Sequence, residues 1–200
     1  MIDDEKIKYY LETFKTLRLT DLGKLFDLAT KRSLNIGEVY IREGEMHPKL
    51  AYITRGLIRT FIIKENGQEA TLQLHWEDRF FASRDNVIHK KPSRFIYEAI
   101  EPTELLEVDF NEMQSLLDDN PQFAASRNFF LLNMLAESME RVEDLVLLSP
   151  EERYLKLINE KPDIIGRVPS KYIATMLGIT PVSLSRLRKR ILVRSRQKLS

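Results

Sequence analysis

The side chains with the most concentrated chemistry in this chain are cations. Between Ile164 and Ser200 stand nine Lys or Arg (Arg167, Lys171, Arg186, Arg188, Lys189, Arg190, Arg194, Arg196, Lys198) and no Asp or Glu. An arginine can give two parallel hydrogen bonds to a guanine edge, and a lysine can neutralise a phosphate. Those side chains must be aimed by something rigid, and residues 170 to 191, SKYIATMLGITPVSLSRLRKRI, have the pattern of a helix-turn-helix. Ile173, Ala174 and Leu177 form one helical face, and Leu184, Leu187 and Ile191 recur at three- and four-residue spacing to form a second. Gly178 can end the first helix in the left-handed conformation, Thr180 is a natural N-cap, and Pro181 suits the first helical position. Burying Leu184, Leu187 and Ile191 turns Val182, Arg186 and Lys189 outward, because successive residues rotate by roughly 100 degrees. The expected DNA-contacting set is Ser170, Lys171, Thr180, Pro181, Val182, Ser183, Ser185, Arg186, Lys189 and Arg190, with Arg186 reading a base and Lys189 holding a phosphate. The plain alternative is a helical hairpin with a solvated basic face; the absence of acids in this stretch favours DNA.

Other chemistries find less material. The chain has no cysteine, so disulfides, thiolate metal sites and cysteine-held iron-sulfur clusters are excluded. His47, His75 and His89 are its only histidines, and none forms an H-x-H pair, so a cupin-like metal-dependent enzyme is the rival reading rather than the expected one. No catalytic triad, phosphate loop or Gly-rich fingerprint is present. The chain is therefore expected to be no enzyme, to bind no metal and to require no cofactor.

The charge is unevenly divided. Residues 151 to 200 hold 12 basic and 4 acidic residues, whereas the first 150 hold 19 basic and 26 acidic. Opposite signs point to separate tasks, with the acidic part kept away from DNA. The N-terminus MIDDEKIKYY lacks the character of a signal peptide, and no run approaches the ~18 apolar residues of a membrane span. A cytoplasmic protein without a membrane partner is expected.

The elements that would carry these side chains can be traced along the chain. Residues 3 to 31 read as helical, with Thr20 as a cap. From Ser33 the period becomes two: strands are expected at 39–42, 51–54, 57–64, 69–76, 94–100 and 104–108, punctuated by Gly37, Gly44, Gly56, Asn66-Gly67 and Pro102. Asn66-Gly67 signals a hairpin with positive φ at both residues. Asp109 and Glu112 have capping-box spacing, Asn120-Pro121 breaks the short helix that follows, and a long helix runs from Pro121 to about Leu148. Asn128, Leu131, Leu135, Ser138, Val142 and Leu145 fall on a heptad-like seam and are expected to form a parallel homodimer interface. Ser149-Pro150 marks a boundary, and the helix after it should bury Tyr154, Leu155 and Ile158. The reading is an α+β chain. A jelly-roll, double-stranded β-helix domain of sensor type occupies 1–120, a dimerisation helix 121–148, and a helix-turn-helix domain 149–200. Only a short wing, or none, could follow Ile191.

A β-roll, a long helix and a basic helix-turn-helix in this order resemble the Crp/Fnr family of bacterial transcription regulators. The stretches VYIREGEMHPKLAYITRGLIR and KYIATMLGITPVSLSRLRKRI carry the likeness, and the second resembles the shorter regulators of the Bacteroidetes type. The resemblance implies a cyclic-nucleotide-binding-type roll, a homodimer on two-fold-related double-stranded DNA, and contact with RNA polymerase. In nucleotide-responsive members a Gly-Glu pair and a later Arg-Ser pair hold the ribose and cyclic phosphate. Here Ala82 and Ser83 replace the first pair, and Ser93 and Arg94 the second in reversed order. The candidate ligand-pocket residues are Phe81, Ala82, Ser83, Arg84, Ser93 and Arg94, with Arg84 or Arg94 as the cation. With the carboxylate gone, an effector other than cyclic AMP is expected. Phe80, Phe81 and Phe95 leave open a roll filled from within, serving only as a scaffold. The family's arginine-glutamate pair at the start of the recognition helix is Pro181 and Val182 here, so its half-site does not carry over.

Overall fold

Residues that alternate between β-branched or aromatic and polar fold as strands because one face of each can be kept dry. The computed structural model describes residues 27–118 and 123–197. The expected helix before residue 27, with its Thr20 cap, and the Asn120-Pro121 break lie outside the described residues. Eight strands follow: β1 Thr30–Leu34, β2 Val39–Ile41, β3 Lys49–Arg55, β4 Ile58–Ile63, β5 Glu69–His75, β6 Phe80–Ala82, β7 Ile96–Ala99 and β8 Thr103–Asp109. They form two antiparallel four-stranded sheets, in the orders β1-β8-β3-β6 and β2-β7-β4-β5. Between the sheets lie Leu34, Tyr40, Ile41, Ala51, Ile53, Ile58, Phe81, Tyr97, Ala99 and Leu105.

Two strands depart from the sequence reading. The helical pattern was expected to reach residue 31, yet Thr30–Leu34 pairs with β8 as an edge strand. Four of its five residues are exposed, so backbone pairing rather than burial holds it and its side chains show no alternation. β6, Phe80–Ala82, pairs with β3 where no strand was expected. The Asn66-Gly67 hairpin forms between β4 and β5, but only Gly67 has positive φ, at 77°. The Lys64 N–H donates to the Gln68 carbonyl at 2.9 Å and the Gly67 N–H to the Lys64 carbonyl at 2.8 Å, which makes a three-residue loop with glycine at its left-handed position.

Gly56, between β3 and β4, has a positional requirement. Its φ is 99°, and a Cβ there would lie 2.5 Å from Thr103 Oγ1 and 2.6 Å from the Pro102 carbonyl oxygen. Only glycine lets the two turns approach so closely.

The helices are α1 Arg84–Val87, α2 Phe110–Asp118, α3 Phe123–Leu147, α4 Pro150–Glu160, α5 Ile164–Arg167, α6 Ser170–Met176 and α7 Pro181–Gln197. Asp109 caps α2, accepting from the Asn111 and Glu112 N–H groups at 2.8 and 3.1 Å. Ser149 and Glu152 form a reciprocal capping box at the start of α4. On α4 the buried pair is Tyr154 and Leu157, not the expected Leu155. No strand follows α7 among the described residues, so the optional wing is replaced by continuing helix to Gln197.

The helices after α3 pack onto the sheets. A second apolar cluster unites Leu57, Leu74, Trp76 and Ile100 of the roll with Tyr154, Leu157, Ile164, Ile173, Ala174, Leu177, Leu184 and Leu187 of the carboxyl-terminal helices. Arg59, on β4, is fully buried, with its guanidinium 3.7 Å from the Phe61 ring and 3.6 Å from the Tyr172 ring of α6. Its two terminal nitrogens reach Glu69 and Glu98 at 2.7 Å each. Arg167 bridges from α5 to Glu77 and Glu101 of the roll and to Asp163.

Candidate nucleic-acid interface

A reading surface needs a buried side that fixes it and a free side that carries charge. Ile173 and Ala174 of α6 are fully buried, as are Leu177, Leu184 and Leu187 to within a few per cent. The bend between α6 and α7 turns on Gly178, whose φ is 73°. Thr180 caps α7: its Oγ1 accepts from the Ser183 N–H at 3.1 Å and its carbonyl from the Leu184 N–H at 3.0 Å. Arg153 secures the ends of two helices, donating to the Leu148 carbonyl at 2.6 Å and to the Leu177 carbonyl at 3.0 Å. Lys156 ties α4 to α3 through Glu140 and Asp144, both at 2.6 Å.

The opposite side of α7 faces water. Pro181, Val182, Ser183, Ser185, Arg186, Lys189 and Arg190 are all exposed. Arg186, Lys189, Arg190, Val193 and Arg194 line an open hollow of about 420 Å³ along the helix. Arg186 and Lys189 have no hydrogen bond or ion pair among the described residues, so their donors are free for a ligand. The other expected contacts differ. The Ser170 hydroxyl accepts from Arg188 at 2.8 Å, while the same arginine donates to Tyr154 Oη at 3.1 Å. Ser170 and Arg188 thus brace the two helices against each other. Thr180 is a cap, its hydroxyl 2.9 Å from Ser183 Oγ. Lys171 lies over the Tyr172 ring at 4.8 Å. Arg190 and Arg194 both reach Glu151, at 2.7 Å each. Glu151 was outside the sequence reading because the acid-free stretch begins after it.

The loop of the candidate ligand pocket is built around a residue that was also missed. Asp85, on α1, is buried, and its carboxylate accepts from the Arg94 backbone N–H, Nε and Nη2, each at 3.0 Å. The hydrogen bond from Arg94 holds the Asp85 carboxyl below the usual carboxylate range, against the effect of burial. Asn86 is fully buried and staples this loop to the β2–β3 turn. It donates to the Glu45 and Lys91 carbonyls at 3.1 and 2.8 Å and accepts from the His47 N–H at 3.0 Å. Ser83 caps α1, and Ser93 Oγ donates to the Phe95 carbonyl at 2.8 Å. Ala82 takes a hydrogen bond from Tyr97 Oη at 3.3 Å. Phe81 points into the roll, its ring 5.5 Å from Tyr40, 5.2 Å from His75 and 6.0 Å from Tyr97. Arg84 is exposed. A hollow of about 310 Å³ lies outside, lined by Asp85, His89, Lys91, Pro92 and Arg94. No carboxylate stands at Ala82 or Ser83, and the Arg94 guanidinium is paired with the Asp85 carboxylate. The sequence signal was available in principle, as a lone acid beside Arg84 in an otherwise apolar and basic loop.

The histidines occupy separate places. His75 Nε2 is 3.0 Å from Thr60 Oγ1, and burial pushes its pKa down to about 3. His47 meets Tyr40 edge-on at 4.7 Å, and His89 is exposed. Among the described residues, no three His, Cys, Asp or Glu converge on a point that could hold a metal ion.

Along α3, Leu132, Leu135, Met139, Val142, Leu145 and Val146 are exposed. Their spacing leaves a band of apolar side chains along the helix. Of the expected seam, Leu135, Val142 and Leu145 belong to this band and Ser138 is exposed beside it; the side chains of Asn128 and Leu131 lie outside the described residues. No described helix is long and apolar enough to cross a membrane.

Comparison with known proteins locates this architecture. Residues 31–120 match the cyclic nucleotide-binding domain family. No curated protein matches the chain. Among solved structures, the c-di-GMP-responsive global regulator CLP of Xanthomonas campestris is similar at a TM-score of 0.67 and 15% identity, over 89% of this chain and 93% of that one. FixK2 of Bradyrhizobium japonicum has a TM-score of 0.67 and 18% identity, over 84% of this chain and 86% of its own. The catabolite activator protein of Thermus thermophilus has a TM-score of 0.53 and 20% identity, over 92% and 87%. None of these neighbours speaks for the Bacteroidetes-type subgroup.

Proposed function

We propose that this chain is a DNA-binding transcription regulator of the Crp/Fnr type, working in the cytoplasm as a homodimer and contacting RNA polymerase. The observation that carries this reading is the outer face of α7. Arg186 and Lys189 stand there without a partner among the described residues, on a helix whose inner face is locked by Leu184 and Leu187. The match of residues 31–120 to the cyclic nucleotide-binding domain family and the likeness, over 84% to 92% of this chain, to the global regulator CLP, FixK2 and a catabolite activator protein support it. In this reading residues 1–120 form the roll domain, 121–148 the dimerising helix and 149–200 the helix-turn-helix. The apolar band on α3 meets the same band of a second copy, presenting two reading heads to half-sites roughly 34 Å apart. No chemistry is catalysed.

Selection of bound fragments from random duplex DNA tests the reading and yields a two-fold-related site. On that site, Arg186→Ala costs about 1 to 3 kcal/mol and relaxes preference at one base pair, whereas Lys189→Ala weakens all sequences alike and flattens the salt dependence. Binding by both variants like the wild type would place the DNA contact elsewhere.

The roll acts without cyclic AMP. Asp85 supplies the anion that Arg94 would otherwise seek, and Phe81 fills the interior. This favours a second form of the reading, in which the roll is a scaffold for dimerisation and polymerase contact rather than a sensor. Calorimetry with cyclic AMP tests the loop: stoichiometric micromolar binding would refute a roll that acts without this nucleotide.

A further inference from the structure

We infer that Glu151 is a positioning residue that limits how much of the positive charge on α7 is offered to a phosphate backbone. The inference rests on the DNA-binding reading above. Arg190 and Arg194 are four residues apart, on one face of α7, so one carboxylate can span both. Glu151 does so: its Oε2 is 2.7 Å from Arg190 Nη2 and its Oε1 is 2.7 Å from Arg194 Nη1. The carboxylate is 22% exposed, while the arginines are 56% and 62% exposed; the long cationic side chains reach to the anion. Glu151 occupies the first turn of α4, directly after Pro150 and beside the Ser149–Glu152 capping box. A helix start favours negative charge, which anchors the carboxylate from behind.

The consequence is an unequal set of cations on one helix. Arg186 and Lys189 have no counter-charge among the described residues, whereas Arg190 and Arg194 share one and together present one net positive charge instead of two. A phosphate that approaches them must displace Glu151. The acid therefore lowers the number of phosphates the helix neutralises without touching the residue assigned to base reading. Sequence-independent affinity for duplex DNA comes almost wholly from such neutralisation and the counterions it releases. Glu151 holds that background down.

The test uses the full-length protein and a random-sequence duplex, with affinity measured across a salt series for the wild type, E151Q and E152Q. Glutamine keeps the size of the side chain at 151 and removes its charge. At 152 it removes the same charge while preserving a residue suited to the capping box, and Glu152 has no arginine partner among the described residues. The expected result for E151Q is a plot of log affinity against log salt steeper by about 1, and about tenfold tighter binding near 0.1 M salt. E152Q leaves the slope unchanged, and adding R190A and R194A to E151Q abolishes the gain. The base preference read by Arg186 is the same in all of them. A slope unmoved or shallower in E151Q, or equal changes in E151Q and E152Q, would overturn the inference while DNA binding stands. A wild-type protein indifferent to every duplex would overturn the DNA-binding reading and this inference with it.

Discussion

At the scale of single residues, the molecule keeps several polar groups dry at a cost that pH can expose. His75 is wholly buried in the roll with Thr60 beside it, and its pKa falls from 6.5 to about 3 because the charged form loses its water. The unfolded chain takes up this proton below pH 6.5, and the folded chain does not until about pH 3. Stability from this group is therefore complete above pH 6.5 and is lost progressively as pH falls between those values, on the order of 4 kcal/mol in all. His75→Gln should flatten that part of a plot of melting temperature against pH; an acid limb identical to that of the wild type would show that His75 is not responsible. Legibility at this scale was selective. Arg186 and Lys189 could be read from helical spacing, because nothing but the periodicity of α7 decides which way they point. Glu151 could not, because it matters through arginines that are distant in sequence and meet it only after folding.

Elements obey local rules where burial or capping enforces them. The Gly178 bend, the Thr180 cap and the Pro181 start of α7 all follow from local conformational preferences. β1 went unread because an edge strand with four exposed residues of five carries too little alternation to be seen. α3 presents a different case. Its side chains Leu132, Leu135, Met139 and Val142 are each more than half exposed, a band that a solitary helix would leave in water. Packed against a second copy, each fully covered leucine or valine would contribute about 1.5 to 3 kcal/mol. Replacing both Leu135 and Val142 with Asp should convert the proposed dimer to monomers in sedimentation equilibrium and abolish tight binding to a two-fold site. An unchanged mass would remove α3 as the dimer contact.

For the whole molecule, the decisive feature is how the carboxyl-terminal helices seat on the roll. Thr71 of β5 donates its N–H to Thr175 Oγ1 at 3.2 Å, Arg59 is clasped between Phe61 and Tyr172, and Arg167 reaches two roll carboxylates. Burial raises the pKa of Glu77, but hydrogen bonds and charge from Arg167, with help from Lys161, bring it down to about 2. Its contribution is thus held above pH 4.5 and fades as pH drops towards 2. Arg167→Ala leaves Glu77 and Glu101 without their shared cation. The expected cost is about 2 kcal/mol, below that of breaking a fully buried pair because the group is partly wetted. Differential melting and limited proteolysis should then show the helices after α3 loosening before the roll. A single unshifted transition with the same cleavage pattern would mean that apolar packing alone seats them.

Read alone, the sequence determined the strands with strong alternation, the capped helices, the tight bend and the outward face of α7, because each depends on neighbours a few residues away. It also showed Ala82 and Ser83 at the positions where the resemblance would place a Gly-Glu pair. Only the tertiary structure decided which charges remain free. Ion pairs join residues tens of positions apart, so Glu151 could claim Arg190 and Arg194, and Arg167 could leave the basic set for the roll, without any trace in local spacing. The same holds for the seating of the helices on the sheets, where Arg59 and Tyr172 become neighbours only through the fold.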